Sequence, residues 1–185
     1  SDSMLRFAVN LYGAPAMDMR EFAAFTKKTI IGASVTVSAP TGQYDPAKVI
    51  NLGTNRWSIK PEIGLSRSFG NYFVDVYSGV RFYTVNGDFQ GRTRKQDPVG
   101  SVQLHVGYNF KPRFWLAGDA NFFWGGQSTI GEVQKYDRLE NSRAGVTLSV
   151  PVSRHHSVKF NVNESIKQSV GGNFLTLGMA YQYVW

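Results

Sequence analysis

The sequence predicts an all-β fold, an antiparallel transmembrane up-and-down β-barrel, and three observations lead there. Residues 173–185 alternate with a period of two: Leu175, Leu177, Met179, Tyr181, Tyr183 and Trp185 fall on one face, and Phe174, Thr176, Gly178, Ala180, Gln182 and Val184 on the other. The same alternation returns at intervals along the chain, with an apolar face opposed to a small or polar one, as lipid outside and a wet lumen inside require. No apolar run is long enough to cross a bilayer as a helix, so any crossing must be made by strands closed on one another.

Composition agrees and removes several function classes. A mean hydropathy of -0.24 is no objection, because every second residue of a barrel strand faces water. An aromatic content of 14% and 19 glycines suit interface girdles, turns and close lumen packing. The absence of cysteine excludes disulfides, thiolate catalysis and thiolate metal sites. A formal charge of +7 comes from Lys and Arg scattered over turns and alternate strand positions, so nucleic acid is not the expected partner; anionic lipid headgroups or an anionic solute are. The start, Ser1-Asp2-Ser3-Met4, carries no secretion signal.

Nine strand segments follow in order. The first runs from about Met4 to Val9. Ile31, Ala33, Val35 and Val37 then oppose Gly32, Ser34, Thr36 and Ser38. Trp57, Ile59, Ile63 and Leu65 oppose Ser58, Lys60, Glu62 and Gly64, and Tyr72, Val74, Val76, Val80 and Phe82 oppose Asp75, Tyr77, Gly79 and Arg81. These two segments read as a hairpin with Glu62 opposite Tyr77 and Leu65 opposite Val74, a one-residue slip being forbidden because it would put charges in lipid. Val102, Leu104, Val106, Tyr108 and Phe110 oppose Gln103, His105 and Asn109; Phe114, Leu116, Ala120, Phe122 and Trp124 oppose Ala117, Asp119 and Asn121, with Trp115 and Phe123 on the lumen side. The turn between them places His105 and Asp119 as diagonal neighbours within hydrogen-bonding reach. Ala144, Val146, Leu148 and Val150 oppose Arg143, Gly145, Thr147 and Ser149; Val158, Phe160, Val162 and Ile166 oppose Lys159, Asn161, Asn163 and Lys167, with Glu164 the one misfit.

Connections alternate in length, which sets orientation, since outer-membrane barrels keep short turns on the periplasmic side and long loops outside. Residues 68–70, 111–112 and 153–155 are short; 40–55, 84–98 and 125–140 are long. Residues 11–28 form a long periplasmic link in which Asp18 and Glu21 resemble a capping box ahead of Met19, Phe22 and Phe25, predicting a short amphipathic helix. The whole is one barrel domain over 1–185. Because an open edge is intolerable in lipid, the expectation is a larger even-stranded barrel of 10–12 strands, with earlier strands preceding Met4.

The external loops carry Pro40-Thr-Gly-Gln-Tyr-Asp45, Asn51-Leu-Gly-Thr-Asn-Arg-Trp57, Gln96-Asp-Pro98, Trp115 with Asp119, and Gly125-Gly126. In this order they resemble the outer-membrane family named for the meta-pathway of phenol degradation, from about Leu11 to the C-terminus. The resemblance implies a transporter of aromatic or other hydrophobic compounds in the bacterial outer membrane.

Candidate site residues fall in two groups. Arg56, Lys60, Glu62, Asp75, Tyr77, Arg81, His105, Trp115, Asp119, Arg143 and Lys159, with Arg6 and Lys167, are assigned to the lumen. Both charge signs are present, so they either satisfy one another or form a selective constriction whose cationic surplus favours anions. Trp115, Phe123 and Tyr77 are the candidates for contacting an aromatic solute, or for plugging the lumen. Pro40, Thr41, Gly42, Tyr44, Asp45, Asn51, Asn55 and Trp57 form the external-loop motif: its Asp and Asn oxygens suit a cation or a hydroxylated solute, while turn chemistry alone also accounts for them, and Trp57 suits an interface girdle.

No nucleophile and base with a third orienting group is evident, so no catalytic residue, metal ligand or cofactor is assigned. The expected function is a passive outer-membrane channel for small hydrophobic or aromatic solutes. Its rivals are a closed structural or surface-interaction barrel and a lipid-modifying enzyme. Expected partners are outer-membrane lipid including lipopolysaccharide, the solute, and the barrel assembly machinery through the terminal aromatic Trp185.

Overall fold

The structure is a computed structural model that describes residues 1–15 and 29–183. Every regular element among them is a β-strand. In chain order these are β1 (Ser3–Tyr12), β2 (Thr29–Ala39), β3 (Ser58–Phe69), β4 (Tyr72–Tyr83), β5 (Asn86–Phe89), β6 (Arg92–Gln96), β7 (Val99–Lys111), β8 (Phe114–Gly125), β9 (Ser128–Ile130), β10 (Val133–Gln134), β11 (Leu139–Pro151), β12 (His156–Lys167) and β13 (Leu175–Tyr183). Nine of the described strands form one antiparallel sheet in the order β1-β2-β3-β4-β7-β8-β11-β12-β13, the nine segments expected from alternation. Among the described residues β1 does not pair with β13, so the sheet is open and a closed barrel is not seen.

Register separates the two faces, with Arg67 of β3, opposite Val74, and Glu164 of β12 as charged residues on the apolar side. One transverse row runs Val74, Val106, Gly118, Val146, Val162, Leu177. One residue away, the next row runs Ser66, Asp75, His105, Asp119, Gly145, Asn163, Thr176. Period two carried across hydrogen-bonded neighbours therefore makes one face apolar and the other polar over the sheet. Large apolar side chains on the first face stand exposed, among them Leu177 at 72% and Met179 at 74%, which suits contact with hydrocarbon rather than water. Aromatic rings collect at both ends of this face. Tyr72, Tyr108, Phe110 and Phe114 stack in sequence near the short turns, with centroids 4.9, 5.1 and 4.9 Å apart, while Trp57, Phe82, Phe122 and Trp124 lie towards the long loops. Two belts separated by an aliphatic band match the two interfaces of a membrane. Glu164, the misfit in the alternation, sits on the outer face close to the end of β12, opposite Ala144 and Leu175.

The structure corrects three details of the sequence reading. In the β3–β4 hairpin Glu62 faces Gly79, Gly64 faces Tyr77 and Leu65 faces Val76, a shift of two residues from the expected register. The turn is Gly70-Asn71 between the paired Phe69 and Tyr72, with Gly70 at φ +59, rather than residues 68–70. An even shift keeps every side chain on its expected face, and it lays the Tyr77 ring over Gly64, where a Cβ would lie 2.7 Å from the ring. Second, His105 and Asp119 are directly opposed rather than diagonal, because the turn is Pro112-Arg113 with Arg113 at φ 63 and a register irregularity between Asn109 and Lys111.

The third correction concerns the long connections at 84–98 and 125–140, which are not simple loops. Together they build a second, four-stranded antiparallel sheet in the order β10-β9-β6-β5 above the wall. Alternation gave no warning of it because these strands are only 2–5 residues long. In addition β1 continues through Tyr12, so the β1–β2 link begins at Gly13; the expected capping pair Asp18 and Glu21, with Met19, Phe22 and Phe25, lies outside the described residues, as does Trp185.

Candidate functional site

The polar face of the sheet carries the first group of candidate residues in two zones. Towards the short turns, Phe73, Asp75, Tyr77, His105, Asn109, Trp115, Asp119, Thr147 and Lys159 line a cavity of about 460 Å³. At its centre His105 Nδ1 lies 2.5 Å from Asp119 Oδ1, and Thr147 Oγ1 donates to Asp119 Oδ2 at 2.5 Å. Asp119 is 7% exposed, so both oxygens of a buried carboxylate are satisfied by neighbours on the adjacent strands. The Ser66 hydroxyl donates to Asp75. The rings of Phe73 and Trp115 meet edge to face at 5.7 Å, and Lys159 Nζ stands 5.2 Å from the Trp115 ring centre. Phe73 shares the parity of Asp75 and was overlooked in the alternation; it fits because it crosses Gly107, where a Cβ would lie 2.2 Å from the ring.

Nearer the long loops, Glu62 is bracketed by Lys60 at 2.5 Å and Arg6 at 3.0 Å. Three other cations are held by neutral groups: Arg81 donates to Ser58 Oγ at 3.0 Å, Arg143 donates to Thr176 Oγ1 at 2.6 Å and covers the Phe174 ring, and Lys159 faces Trp115. The polar face thus combines self-satisfied pairs with cations free of a carboxylate at these contacts.

Arg56 stands apart from the other lumen candidates, in the cap at the long-loop end. There the second group of candidates forms one hydrogen-bonded knot. Asn51 accepts the Asp45 N–H at 2.8 Å and donates to the carbonyls of Asp45 and Lys48, while the Asp45 carboxylate accepts the Ala47 N–H. Tyr44 donates to the Asp88 carbonyl and accepts from Asn86, and Asn55, at φ 51, donates to the same Asn86. The side-chain oxygens of Asp45 and Asn51 considered for a cation are therefore engaged in turn chemistry. Gly42 and Gly53 touch closely, and Thr41 accepts the Ser3 N–H, so Pro40-Thr-Gly-Gln packs against the start of β1. Trp57 is half exposed at the rim of the apolar face.

Two residues of this knot were not anticipated. Asp2 receives the Gly42 N–H, the Thr54 N–H and the Thr54 hydroxyl, which together outweigh partial burial and hold its carboxyl below the ordinary value. Asn86, 2% exposed, joins Tyr44, Thr54 and Asn55. Its Asn-Gly sequence is an ordinary turn signal, and nothing local marks it as a hub.

With this geometry in view, the comparisons are informative. The family model described as "Putative MetA-pathway of phenol degradation" matches residues 2–183. The chain belongs to that family. The match includes β1, ahead of the start at Leu11 suggested by the loop motifs. A crystal structure of an outer membrane channel from Pseudomonas putida F1 superposes with a TM-score of 0.87 at 25% identity, covering 100% of this chain and 66% of that one. No curated protein sequence matches. The family and the antiparallel fold together point to an outer-membrane β-barrel; the similar structure is itself an outer membrane channel, of whose length this chain spans just under two thirds.

Proposed function

We propose that this protein is an outer-membrane channel for passive uptake of small hydrophobic or aromatic solutes. The observation that carries the reading is the cavity on the polar face, where Phe73, Tyr77 and Trp115 offer ring surface beside His105, Asn109 and Lys159. Aromatic walls with a few placed polar groups bind a ring and orient its substituent, and a cation beside Trp115 suits a carboxylate or phenolate. Outer-membrane lipid, including lipopolysaccharide, is the partner of the exposed apolar face in this reading. Barrel assembly machinery would engage the terminal aromatic.

The specific rival is a barrel closed by its own side chains, which the edge-to-face contact of Phe73 with Trp115 and the packing of Tyr77 over Gly64 favour. Liposome entry of benzoate and phenol through the full-length protein tests the proposal. Entry well above that of protein-free vesicles, slowed by Trp115→Ala or Lys159→Gln, is the expected result. Impermeable, correctly assembled protein would establish the closed barrel instead.

A further inference from the structure

The cap contains two arginines facing one small cavity without a carboxylate in contact. Arg56, from the β2–β3 connection, and Arg94, on β6, both line a space of about 120 Å³ shared with Tyr44, Asn51, Thr54 and Asn86. Arg56 donates one Nη2 hydrogen bond to the neutral Gln96 Oε1 at 2.5 Å and lies 4.3 Å from the Tyr83 ring centre. Arg94 lies 5.1 Å from the Phe89 ring centre. Ring faces orient the two guanidinium planes and leave N–H groups over: Arg56 Nη1 and Arg94 Nε are both shielded from solvent and have no hydrogen-bond partner among the described residues.

That arrangement is costly as it stands. A buried donor to which nothing is bonded loses its hydration without return, and two like charges in one pocket repel. Burial and the Arg94 charge both lower the proton affinity of Arg56. The Asp137 carboxylate responds to the Arg94 charge but is already engaged by the Ser128 N–H and hydroxyl. A guanidinium fork is matched to an oxygen pair, and a single oxyanion in the cavity that both residues line would neutralise the repulsion.

We propose that Arg56 and Arg94 form a binding site for an oxyanion, a carboxylate or a phosphate group, inside the external cap. Tyr44 and Asn86 line its edge, with their own donors engaged within the knot. The site is separate from the polar-face cavity and does not depend on whether the wall conducts: benzoate entry into liposomes reports on the channel, and oxyanion binding reports on the cap.

Calorimetric titration of full-length protein in detergent tests it, with inorganic phosphate, with benzoate, and with mixed micelles containing diphosphorylated lipid A. Saturable binding of at least one probe, weakened about tenfold or more in Arg94→Gln and in Arg56→Gln, is expected from the loss of a charge-assisted fork. Phosphate or benzoate binding assigns the site to a free solute; binding of lipid A alone assigns it to a lipid headgroup, and both support the site. Arg56→Lys keeps the charge but not the fork, so it should bind more weakly than the parent and more tightly than Arg56→Gln. Arg154→Gln, in an exposed turn, serves as the control for charge alone, and heat-modifiable migration on gels confirms that each variant is folded. Folded protein that binds none of the probes, or binding that Arg94→Gln leaves unchanged, would overturn the proposal.

Discussion

The wall and the cap are built from the same chain by opposite means. In the wall, neighbouring strands are mostly sequence neighbours, and stability resides in an alternation that any even register preserves, which is why a two-residue shift in the β3–β4 hairpin moves no side chain to the wrong face. In the cap, segments 52, 42 and 40 residues apart are joined by single polar contacts: Asp2 to Thr54, Tyr44 to Asn86, and Arg56 to Gln96. A hydrophobic pattern tolerates many substitutions and few charges. A polar knot tolerates neither the loss of one group nor a change in its protonation.

The sharpest way to break this comparison is to place a charge on the apolar face. Val146, midway along β11 between Gly118 and Val162, stands 50% exposed on that face. Val146→Arg should destabilise the protein in bilayers by about 2–4 kcal/mol, as expected near the midplane of a barrel. Gln103→Arg, on the polar face of β7 opposite Tyr77, should not carry that lipid penalty. Denaturant titrations in phospholipid vesicles compare the two, and equal losses would show that Val146 does not meet lipid.

A smaller effect is expected inside the wall. Asp119→Ala removes the acceptor for both His105 and Thr147, leaving two polar groups on a crowded face, and should cost about 1–3 kcal/mol without preventing assembly. The same titrations measure it. Asp119→Asn should recover part of the loss, because an amide oxygen still accepts from Thr147.

Acid should separate cap from wall. Asp2 and Asp137 both have carboxyls lowered from 3.8: hydrogen bonds from Thr54 and Gly42 to Asp2, and from Ser128 to Asp137, outweigh the raising effect of burial. A depressed folded value means that their contribution is complete above the ordinary carboxylate range and is lost as pH falls through the folded value. Acidification below about pH 4 should therefore loosen segment 40–57 and β9 while the apolar face persists. Hydrogen exchange by mass spectrometry at graded pH would follow both regions, and Asp2→Asn should make segment 40–57 exchange faster at neutral pH. Simultaneous loss of wall and cap would contradict the separation.

The smallest effect concerns ions. Arg81 and Arg143 contact neutral groups on the polar face, so if the wall conducts, their charge should concentrate anions along the passage. Arg81→Gln with Arg143→Gln should reduce anion preference in reversal potentials across a salt gradient, with assembly unaffected. Cation preference in the parent protein would remove this reading.

Much of the candidate site was legible for the reason the wall was. His105, Asp119, Asp75, Tyr77 and Trp115 share a cavity because each has the parity opposite to its strand's apolar residues. Phe73 has that parity too, and only the structure shows that Gly107 leaves room for its ring. Arg56 was misplaced because it precedes a strand by two residues, where alternation no longer constrains direction. Asp2, Asn86 and Arg94 had no local signature, since each acts through partners far along the chain.

By itself the sequence determined the nine wall strands among the described residues, the face of most of their side chains and the end at which the long connections lie, because period two and turn chemistry are local and repeat with every hairpin. Only the tertiary structure decided the register of the β3–β4 pair, the direct opposition of His105 and Asp119, the four-stranded cap and the meeting of Arg56 with Arg94. These depend on which turn conformer closes each hairpin and on which distant polar groups find one another, and a pattern that is unchanged by a two-residue shift carries no information about either.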